Sequence, residues 1–292
     1  MKFDKLLKTG KKLICDGAMG TQLIDRGLKA GECPELWNIE KPLIIKDIHS
    51  SYIDAGAQMI ITNTFGGNLL KLRNYNLQDK ADIINGEAVR IAIEAASGRA
   101  AVLGGIGPTG QLLEPLGTCS KEEFREIFYL QSKSLADAGS DAIIIETMTD
   151  VNELAVAVEA AASVKLPVIA SMSFTKDVNR DDYHTVMGVD IKTFVIRAEE
   201  CGTSIICVNC GTGPNDILKV VERIAALTSL PVMAEPNAGL PRYENGQTFY
   251  RQSPEEFASK AVLIFKAGAL IVGGCCGTTP EHIRKLSILL NK

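Results

Sequence analysis

The stretch that decides the fold is residues 140–174, SDAIIIETMTDVNELAVAVEAAASVKLPVIASMSF. Residues 142–146 and 168–173 are short, mostly apolar and rich in β-branched side chains, which is typical of strands buried on both faces. Residues 151–164 between them carry apolar side chains at helical spacing, and Asp150 stands where an N-cap belongs. The stretch therefore predicts a strand, a crossover helix and a second, parallel strand.

The same unit recurs along the whole chain of 292 residues. Strand-like runs occupy residues 13–15, 59–64, 101–104, 142–146, 168–173, 204–209, 232–235 and 270–273. Helical patterns occupy residues 43–55, 80–97, 121–138, 151–164, 191–200, 215–227, 254–266 and 280–290. Eight such units are typical of a (β/α)8 TIM barrel of the α/β class, whereas an open doubly wound sheet, the alternative, seldom has eight equivalent units. We predict a single barrel domain over residues 1–292, with its active site on the C-terminal face.

The composition excludes several classes of protein. Hydrophobic residues make up 46% and charged residues 23%, which allows a sizeable core in a water-soluble chain. The formal net charge of −4 gives no reason to expect nucleic acid or an anionic membrane as a partner, and no apolar run is long enough to span a bilayer. Residues 1–12 lack the apolar core of a signal peptide. We therefore expect a cytoplasmic protein whose eight cysteines are thiols or metal ligands rather than disulfides.

Three of the cysteines follow predicted strands on the C-terminal face. Cys210 follows the sixth strand in ICVNCGTGP, and Cys275 and Cys276 follow the eighth in VGGCCGTTPEHI. These strands are next-but-one neighbours in a barrel, so the three thiols can converge on one point. Three protein ligands with an open fourth position are typical of a catalytic zinc site, while core packing or a vicinal disulfide is the alternative. Cys207 lies an odd number of residues before Cys210, so we expect its side chain to face the other way, into the core.

The motifs around these cysteines carry a family resemblance. VNC at 208–210 together with GGCCGTTPEHI at 273–283 resembles the homocysteine S-methyltransferase family. CDGAMGT at 15–21 and EPNAG at 235–239 are similar in particular to the homocysteine-binding module of the cobalamin-dependent methionine synthases. The resemblance runs from about residue 13 to the end of the chain. It implies a zinc ion held by Cys210, Cys275 and Cys276, with the thiol of homocysteine as the fourth ligand.

The resemblance also indicates how the rest of homocysteine would be bound. It places the substrate ammonium near Asp16 and Glu146, and the turn after the first strand exposes backbone N–H groups suited to the substrate carboxylate. Asp16 could instead form a turn through its own side chain, and Glu146 could form an ion pair in the barrel mouth. The candidate substrate-binding residues are Asp16, Gly17, Ala18, Met19, Glu146, Asn209 and Asn237. The two asparagines are expected to act as hydrogen-bond donors beside the metal site.

The expected reaction is methyl transfer to the homocysteine thiolate, giving methionine. A free thiol has a pKa near ~8.5, and zinc lowers it by binding the thiolate form. We expect a methylcorrinoid (cobalamin) donor, carried by another domain or by a separate corrinoid-binding protein. The alternatives are S-methylmethionine, S-adenosylmethionine or betaine as the donor, or another thiol as the acceptor. A non-catalytic module stabilised by zinc is a further alternative, but the motifs offer no fourth protein ligand.

The long loop after the fifth strand, residues 175–189, has two interpretations. Its polar side chains could dock a corrinoid protein, or they could form a lid over a small methyl donor. The side chains concerned are Arg180, Asp181, Asp182, Tyr183 and His184.

Overall fold

The structure is a computed structural model that describes residues 3–177, 182–244 and 247–291. In chain order its strands are β1 (Leu13–Ile14), β2 (Met59–Ile61), β3 (Ala101–Ile106), β4 (Ala142–Met148), β5 (Val168–Met172), β6 (Thr175–Lys176), β7 (Tyr183–His184), β8 (Ile205–Asn209), β9 (Val232–Glu235), β10 (Arg242–Glu244), β11 (Gln247–Phe249) and β12 (Ala269–Val272). Its α-helices are α1 (Phe3–Leu7), α2 (Gly20–Asp25), α3 (Trp37–Glu40), α4 (Pro42–Asp54), α5 (Leu69–Arg73), α6 (Ala81–Ala96), α7 (Lys121–Asp137), α8 (Val151–Ala162), α9 (Ile191–Glu200), α10 (Pro214–Ala225), α11 (Pro254–Lys266) and α12 (Pro280–Leu290).

Eight of the strands form one parallel sheet that closes into a barrel. Their order is β1-β12-β9-β8-β5-β4-β3-β2, and a parallel bridge between Cys15 and Met59 joins β1 to β2. The predicted (β/α)8 barrel is therefore confirmed. The helix start predicted at Asp150 is also confirmed, because its side chain accepts a backbone N–H bond from the first turn of α8. Asp190 and Ser253 cap α9 and α11 in the same way.

Alternate residues of the barrel strands supply two separate cores. Side chains that point inward, such as Leu103, Ile144 and Cys207, form a cluster inside the barrel. Side chains that point outward pack against the helices in a second, larger cluster. Phe3 and Leu6 of α1 join the inner cluster and are almost fully buried. The barrel interior is thus a packed core rather than a channel.

The loops on the C-terminal face contain more regular structure than the sequence predicts. β6 and β7 form an antiparallel hairpin within residues 175–189, and β10 and β11 form another within residues 237–252. The loop after β2 contains α5. Within the described ranges, the chain has no helix that combines the length and apolar character needed to cross a membrane.

Candidate active site at the barrel mouth

A polar layer lies above the hydrophobic interior at the carboxyl ends of the strands. Glu146, Ser171, Asn209 and Glu235 continue the inward-facing series of β4, β5, β8 and β9. Above them opens a cavity of about 270 Å³. Its walls are formed by residues 17–21, 34–35, 61–65, 146–147, 209–210, 235 and 274–276. The cavity therefore lies on the face of the barrel where the sequence predicts the active site.

The three predicted cysteine ligands converge on this cavity. The Cys276 sulfur lies 4.0 Å from the Cys210 sulfur and 4.0 Å from the Cys275 sulfur, and all three sulfurs lie within 4.8 Å of one another. Zinc–sulfur bonds of about 2.3 Å in a tetrahedron would place sulfurs about 3.8 Å apart. The cluster therefore fits a tetrahedral metal ion with one position left open towards the cavity.

Unusual backbone conformations bring the sulfurs together. Cys210 has φ +58° and Gly211 has φ +67°, so two consecutive left-handed residues turn the chain sharply at the end of β8. A Cβ atom at Gly211 would lie 2.4 Å from the Phe174 carbonyl oxygen, so only glycine fits there. On the other side, the Cys275 N–H donates to the Pro236 carbonyl at 2.8 Å. Both cysteine segments are thus held by backbone contacts.

Hydrogen bonding within the cluster favours the loss of a proton from one of its thiols. Hydrogen bonds from the Cys275 and Cys276 thiols lower the pKa of Cys210, and the Asn237 side chain contributes further. The same interaction with Cys210 raises the pKa of Cys275. The Asn237 side chain therefore lies within hydrogen-bonding distance of the cysteine cluster. Cys207 is fully buried in the inner core, as predicted, and takes no part in the cluster.

Three carboxyl groups lie together beside the cysteines. Burial raises the pKa of Asp16 to about 7, and burial followed by the charge of Asp16 raises that of Glu146 to about 8. Burial, then Glu146 and Asp16, also raises the pKa of Glu235. No lysine or arginine among the described residues lines the cavity. The described part of the site therefore concentrates acidic groups without a cationic side chain on its wall.

Asp16 is less accessible than the sequence suggests. It is 3% exposed and, unlike Glu146 and Glu235, it is not part of the cavity wall. One carboxylate oxygen accepts the Ile61 N–H at 3.0 Å, and the other lies 3.5 Å from the Cys15 sulfur. Asp16 thus lies beside the site, where its charge helps to raise the pKa of Glu146.

The turn after β1 lines the cavity, but not all of its N–H groups are free. Gly17, Ala18 and Met19 all belong to the wall. The Ala18 N–H, however, donates to the Thr278 hydroxyl at 3.0 Å. Thr278 thus already engages the Ala18 N–H, a group predicted from the sequence to bind the substrate carboxylate. The turn is also fixed by the Tyr52 hydroxyl, which donates to the Ala18 carbonyl at 2.8 Å.

Asn209 lines the cavity, yet its amide group is already engaged. Its Oδ1 accepts the Thr147 N–H at 2.9 Å and the Ser171 hydroxyl at 2.7 Å. Its Nδ2 donates to the Thr147 hydroxyl at 2.7 Å. These contacts tie β8 to β4 across the intervening β5. Thr147 itself carries no motif that could mark it in the sequence.

Several wall residues have no recognisable signal in the sequence. Glu35, 5% exposed, accepts the Gly66 N–H at 2.7 Å and so anchors the loop after β2. That loop contributes residues 62–65 to the wall. The only indication of these positions is their location after a strand.

The alternative prediction for Glu146 is an ion pair in the barrel mouth. The described cavity wall contains no basic residue that could form that pair.

The loop at 175–189 does not reach the cavity with any described residue. Tyr183 is fully buried and its hydroxyl donates to Asp216 at 2.7 Å. Asp182 forms an ion pair with Arg223. Arg180 and Asp181 lie outside the described residues. The described part of this loop is therefore packed against α10 rather than over the active site.

A parallel (β/α)8 barrel with thiols and carboxyl groups at the carboxyl ends of its strands defines an enzyme of the TIM-barrel type. Comparison with known proteins specifies the class further. The chain belongs to the homocysteine S-methyltransferase family, whose model matches residues 13–290. The family expected from the cysteine motifs is thereby confirmed.

The relatives are methionine synthases and a homocysteine methyltransferase. Methionine synthases of Mycobacterium leprae and Mycobacterium tuberculosis are each 33% identical to 94% of this chain. The chain spans only 24% of the length of each. The homocysteine methyltransferase MmuM from Escherichia coli, in its metallated form, superimposes with a TM-score of 0.79 at 25% identity, over 98% of both chains. Its apo form gives a TM-score of 0.75.

Proposed function

We propose that the chain is a zinc-dependent S-methyltransferase that transfers a methyl group from a methylcorrinoid to homocysteine, forming methionine. The observation that carries the proposal is the cluster of Cys210, Cys275 and Cys276, whose adjacent sulfurs lie 4.0 Å apart at the mouth of the barrel. These three thiolates would hold the ion and leave its fourth position facing the cavity. Bound zinc would supply a Lewis acid that keeps the substrate sulfur in its thiolate form at neutral pH.

The residues of the chain would bind the two charged ends of the amino acid. Glu146 and Glu235 line the cavity without a basic partner on its described wall, so they suit the substrate ammonium. Asp16 adds negative charge from beside the site. Gly17 and Met19 line the same cavity, and their backbone N–H groups suit the substrate carboxylate. Holding both ends aims the sulfur at the incoming methyl group.

The small size of the cavity favours a large donor that stays outside it. The cavity of about 270 Å³ falls below the ~300–1,000 Å³ typical of pockets for drug-sized ligands, so it suits an amino acid rather than a corrinoid. The described part of the loop at 175–189 packs against α10 and does not form a lid. The similarity to methionine synthases supports the same choice. We expect the corrinoid on another domain or a separate protein.

A methyl-donor comparison tests the proposal. Zinc-loaded protein is incubated with homocysteine and either methylcobalamin, S-methylmethionine, S-adenosylmethionine or betaine, and methionine is quantified. With methylcobalamin, the sulfur–methyl bond forms while the cobalt–carbon bond breaks with both electrons left on cobalt. The absorbance change to cob(I)alamin should therefore accompany methionine formation. Intact methylcobalamin together with methionine from one of the small donors would replace the corrinoid assignment.

A further inference from the structure

The strand that carries Glu146 contains a β-bulge at the cavity. β4 and β5 keep one register up to Ile145 and a different one from Met148 onward, with one extra residue on β4 between them. The extra residue therefore lies in the segment of Glu146 and Thr147. As a result Met148 packs in the outer core, while Glu146 and Thr147 both face the cavity.

The bulge places Thr147 in an unfavourable backbone conformation. Its φ is +60°, a region that β-branched residues rarely adopt and that the surrounding structure must enforce. Asn209 supplies two of the bonds that do so, to the Thr147 N–H at 2.9 Å and to its hydroxyl at 2.7 Å. Ser171, on the strand between them, donates to the same Asn209 oxygen. Asn209 is itself 1% exposed, so its position is fixed by packing.

These bonds act on the residue that precedes Thr147. The Thr147 N–H belongs to the peptide unit that follows Glu146, so its direction sets ψ of Glu146. That angle determines where the Glu146 side chain enters the cavity. The carboxylate lies directly over Gly105, where a Cβ atom would come within 2.7 Å of Oε1. The carboxylate thus occupies a defined place that the backbone at Thr147 controls.

We propose that Asn209 is a positioning residue that holds Thr147 in its left-handed conformation and thereby aims the Glu146 carboxylate at the ammonium of the amino-acid substrate. This inference rests on the proposed function, in which Glu146 binds that ammonium. The competing role for Asn209 is direct contact with the substrate through the cavity wall. The two roles predict different homocysteine affinities when the substitutions at Asn209 and Glu146 are combined.

A double-mutant cycle separates them. Homocysteine affinity is measured by calorimetry on zinc-loaded wild type, Asn209→Ala, Glu146→Gln and the double variant. Each single variant should bind about tenfold more weakly, the size expected for losing a hydrogen bond to a charged group. The double variant should bind within about twofold of Glu146→Gln, because the contact that Asn209 positions is already lost when the carboxylate is removed.

Three results would count against the inference. Additive losses in the double variant would show that Asn209 contacts the substrate directly, and unchanged affinity in Asn209→Ala would show no role; both leave the proposed function intact. Wild-type affinity in Glu146→Gln would instead remove the ammonium role from Glu146, and the positioning role with it. Zinc content is measured in every sample, since Asn209 precedes Cys210.

Matched variants separate positioning from general stability. Thr203→Val removes another buried hydroxyl bond to β5, from the turn before β8 to the Val168 carbonyl at 2.9 Å, at the opposite end of the barrel. It should lower Tm and leave homocysteine affinity unchanged.

If Asn209→Ala fails to fold or loses zinc, two substitutions of Thr147 test the inference instead. Thr147→Ser keeps the hydroxyl and should bind within about twofold of wild type, whereas Thr147→Val should repeat the non-additive cycle with Glu146→Gln. Equal affinity in the two Thr147 variants would overturn the inference.

Discussion

At the scale of single residues, the proposed function assigns to the carboxyl groups the selection of a substrate that carries a positive charge. Burial and then the charge of Glu146 raise the pKa of Glu235, and both acids face a cavity with no basic residue on its described wall. An entering ammonium would compensate this charge and favour the ionised carboxylates. A thiol without an ammonium group would leave them uncompensated. The acids therefore suit an amino-acid thiol over a simple alkyl thiol.

The cysteines lead to a direct prediction about metal content. We expect purified protein to bind about one zinc ion per chain through three thiolates. Cys210→Ser, Cys275→Ser and Cys276→Ser should each lose most of it, because a serine hydroxyl is a poor replacement for a thiolate ligand. Cys207→Ser is the matched control, since this thiol is buried in the inner core. Elemental analysis measures the outcome, and full zinc occupancy in the Cys275→Ser, Cys276→Ser double variant would refute the ligand assignment.

Residue chemistry decides how much of this site the sequence can reveal. Cys210, Cys275 and Glu146 are predictable, because a thiol or carboxyl group at the carboxyl end of a barrel strand lies on the catalytic face of the fold. The engagement of the Ala18 N–H by Thr278 is not predictable, since it joins residues at opposite ends of the chain. The same holds for Thr147, whose role depends on a backbone angle. Side-chain chemistry is visible in a sequence, whereas backbone strain is not.

At the scale of elements, the eight units follow from local patterns and the loop hairpins do not. The predicted strand at 168–173 appears as Val168–Met172, and the predicted helix at 254–266 as Pro254–Lys266. Their hydrophobic periodicity and capping residues are local signals. β10 and β11 have only three residues each. Such short strands depend on pairing with each other rather than on an apolar run.

The turn between β12 and α12 provides an element-scale prediction. Gly277 has φ +80°, and a Cβ atom there would lie 2.2 Å from the Tyr250 Cβ. Gly202 has a similar φ of +83° but nothing within 4 Å of the added atom. Gly277→Ala and Gly202→Ala should each lower the free energy of unfolding by about 1–2 kcal/mol, because alanine is strained in the left-handed backbone conformation. Gly277→Ala should lower the free energy of unfolding further, because Tyr250 must move to make room for the added methyl group.

The measurement compares the two variants. An additional loss of about 1 kcal/mol or more in Gly277→Ala corresponds to a Tm at least about 2–4 °C below that of Gly202→Ala. Gly277→Ala should also bind less zinc, since Gly277 directly follows Cys276. Equal Tm and equal zinc content in the two variants would show that the turn tolerates the larger residue.

At the scale of the whole molecule, the hydrophobic layers support a polar layer that is unfavourable for folding. The inner and outer cores bury apolar side chains on both faces of the sheet. The carboxyl groups at the mouth lose hydration when the barrel closes, so burial is the largest cause of their raised pKa. The stability of the barrel should therefore vary with pH through this layer.

The contribution of Glu146 to the free energy of unfolding should decrease as the pH rises. Burial, and then the charge of Asp16, raises its pKa in the folded protein to about 8, whereas a glutamate in an unfolded chain has a pKa near ~4.3. Between these values the folded state keeps a proton that the unfolded state has released. The stabilisation is complete below the unfolded pKa and is lost as pH rises through the folded pKa. The free energy of unfolding should fall by at most about 1.4 kcal/mol per pH unit from this group.

Glu146→Gln removes this dependence, because the amide does not ionise. Relative to wild type, the variant should therefore become progressively more stable as the pH rises from about 5 to about 8. Urea unfolding at intervals across this range gives both curves, and their difference cancels the contributions of groups that do not interact with Glu146. Asp16 and Glu235, which do interact with it, contribute to the difference together with Glu146. Glu126→Gln, at an exposed position of α7, is the control and should run parallel to wild type. A constant difference between Glu146→Gln and wild type would mean that the Glu146 carboxyl keeps its ordinary pKa, and the buried polar layer would then impose no cost on folding at this position.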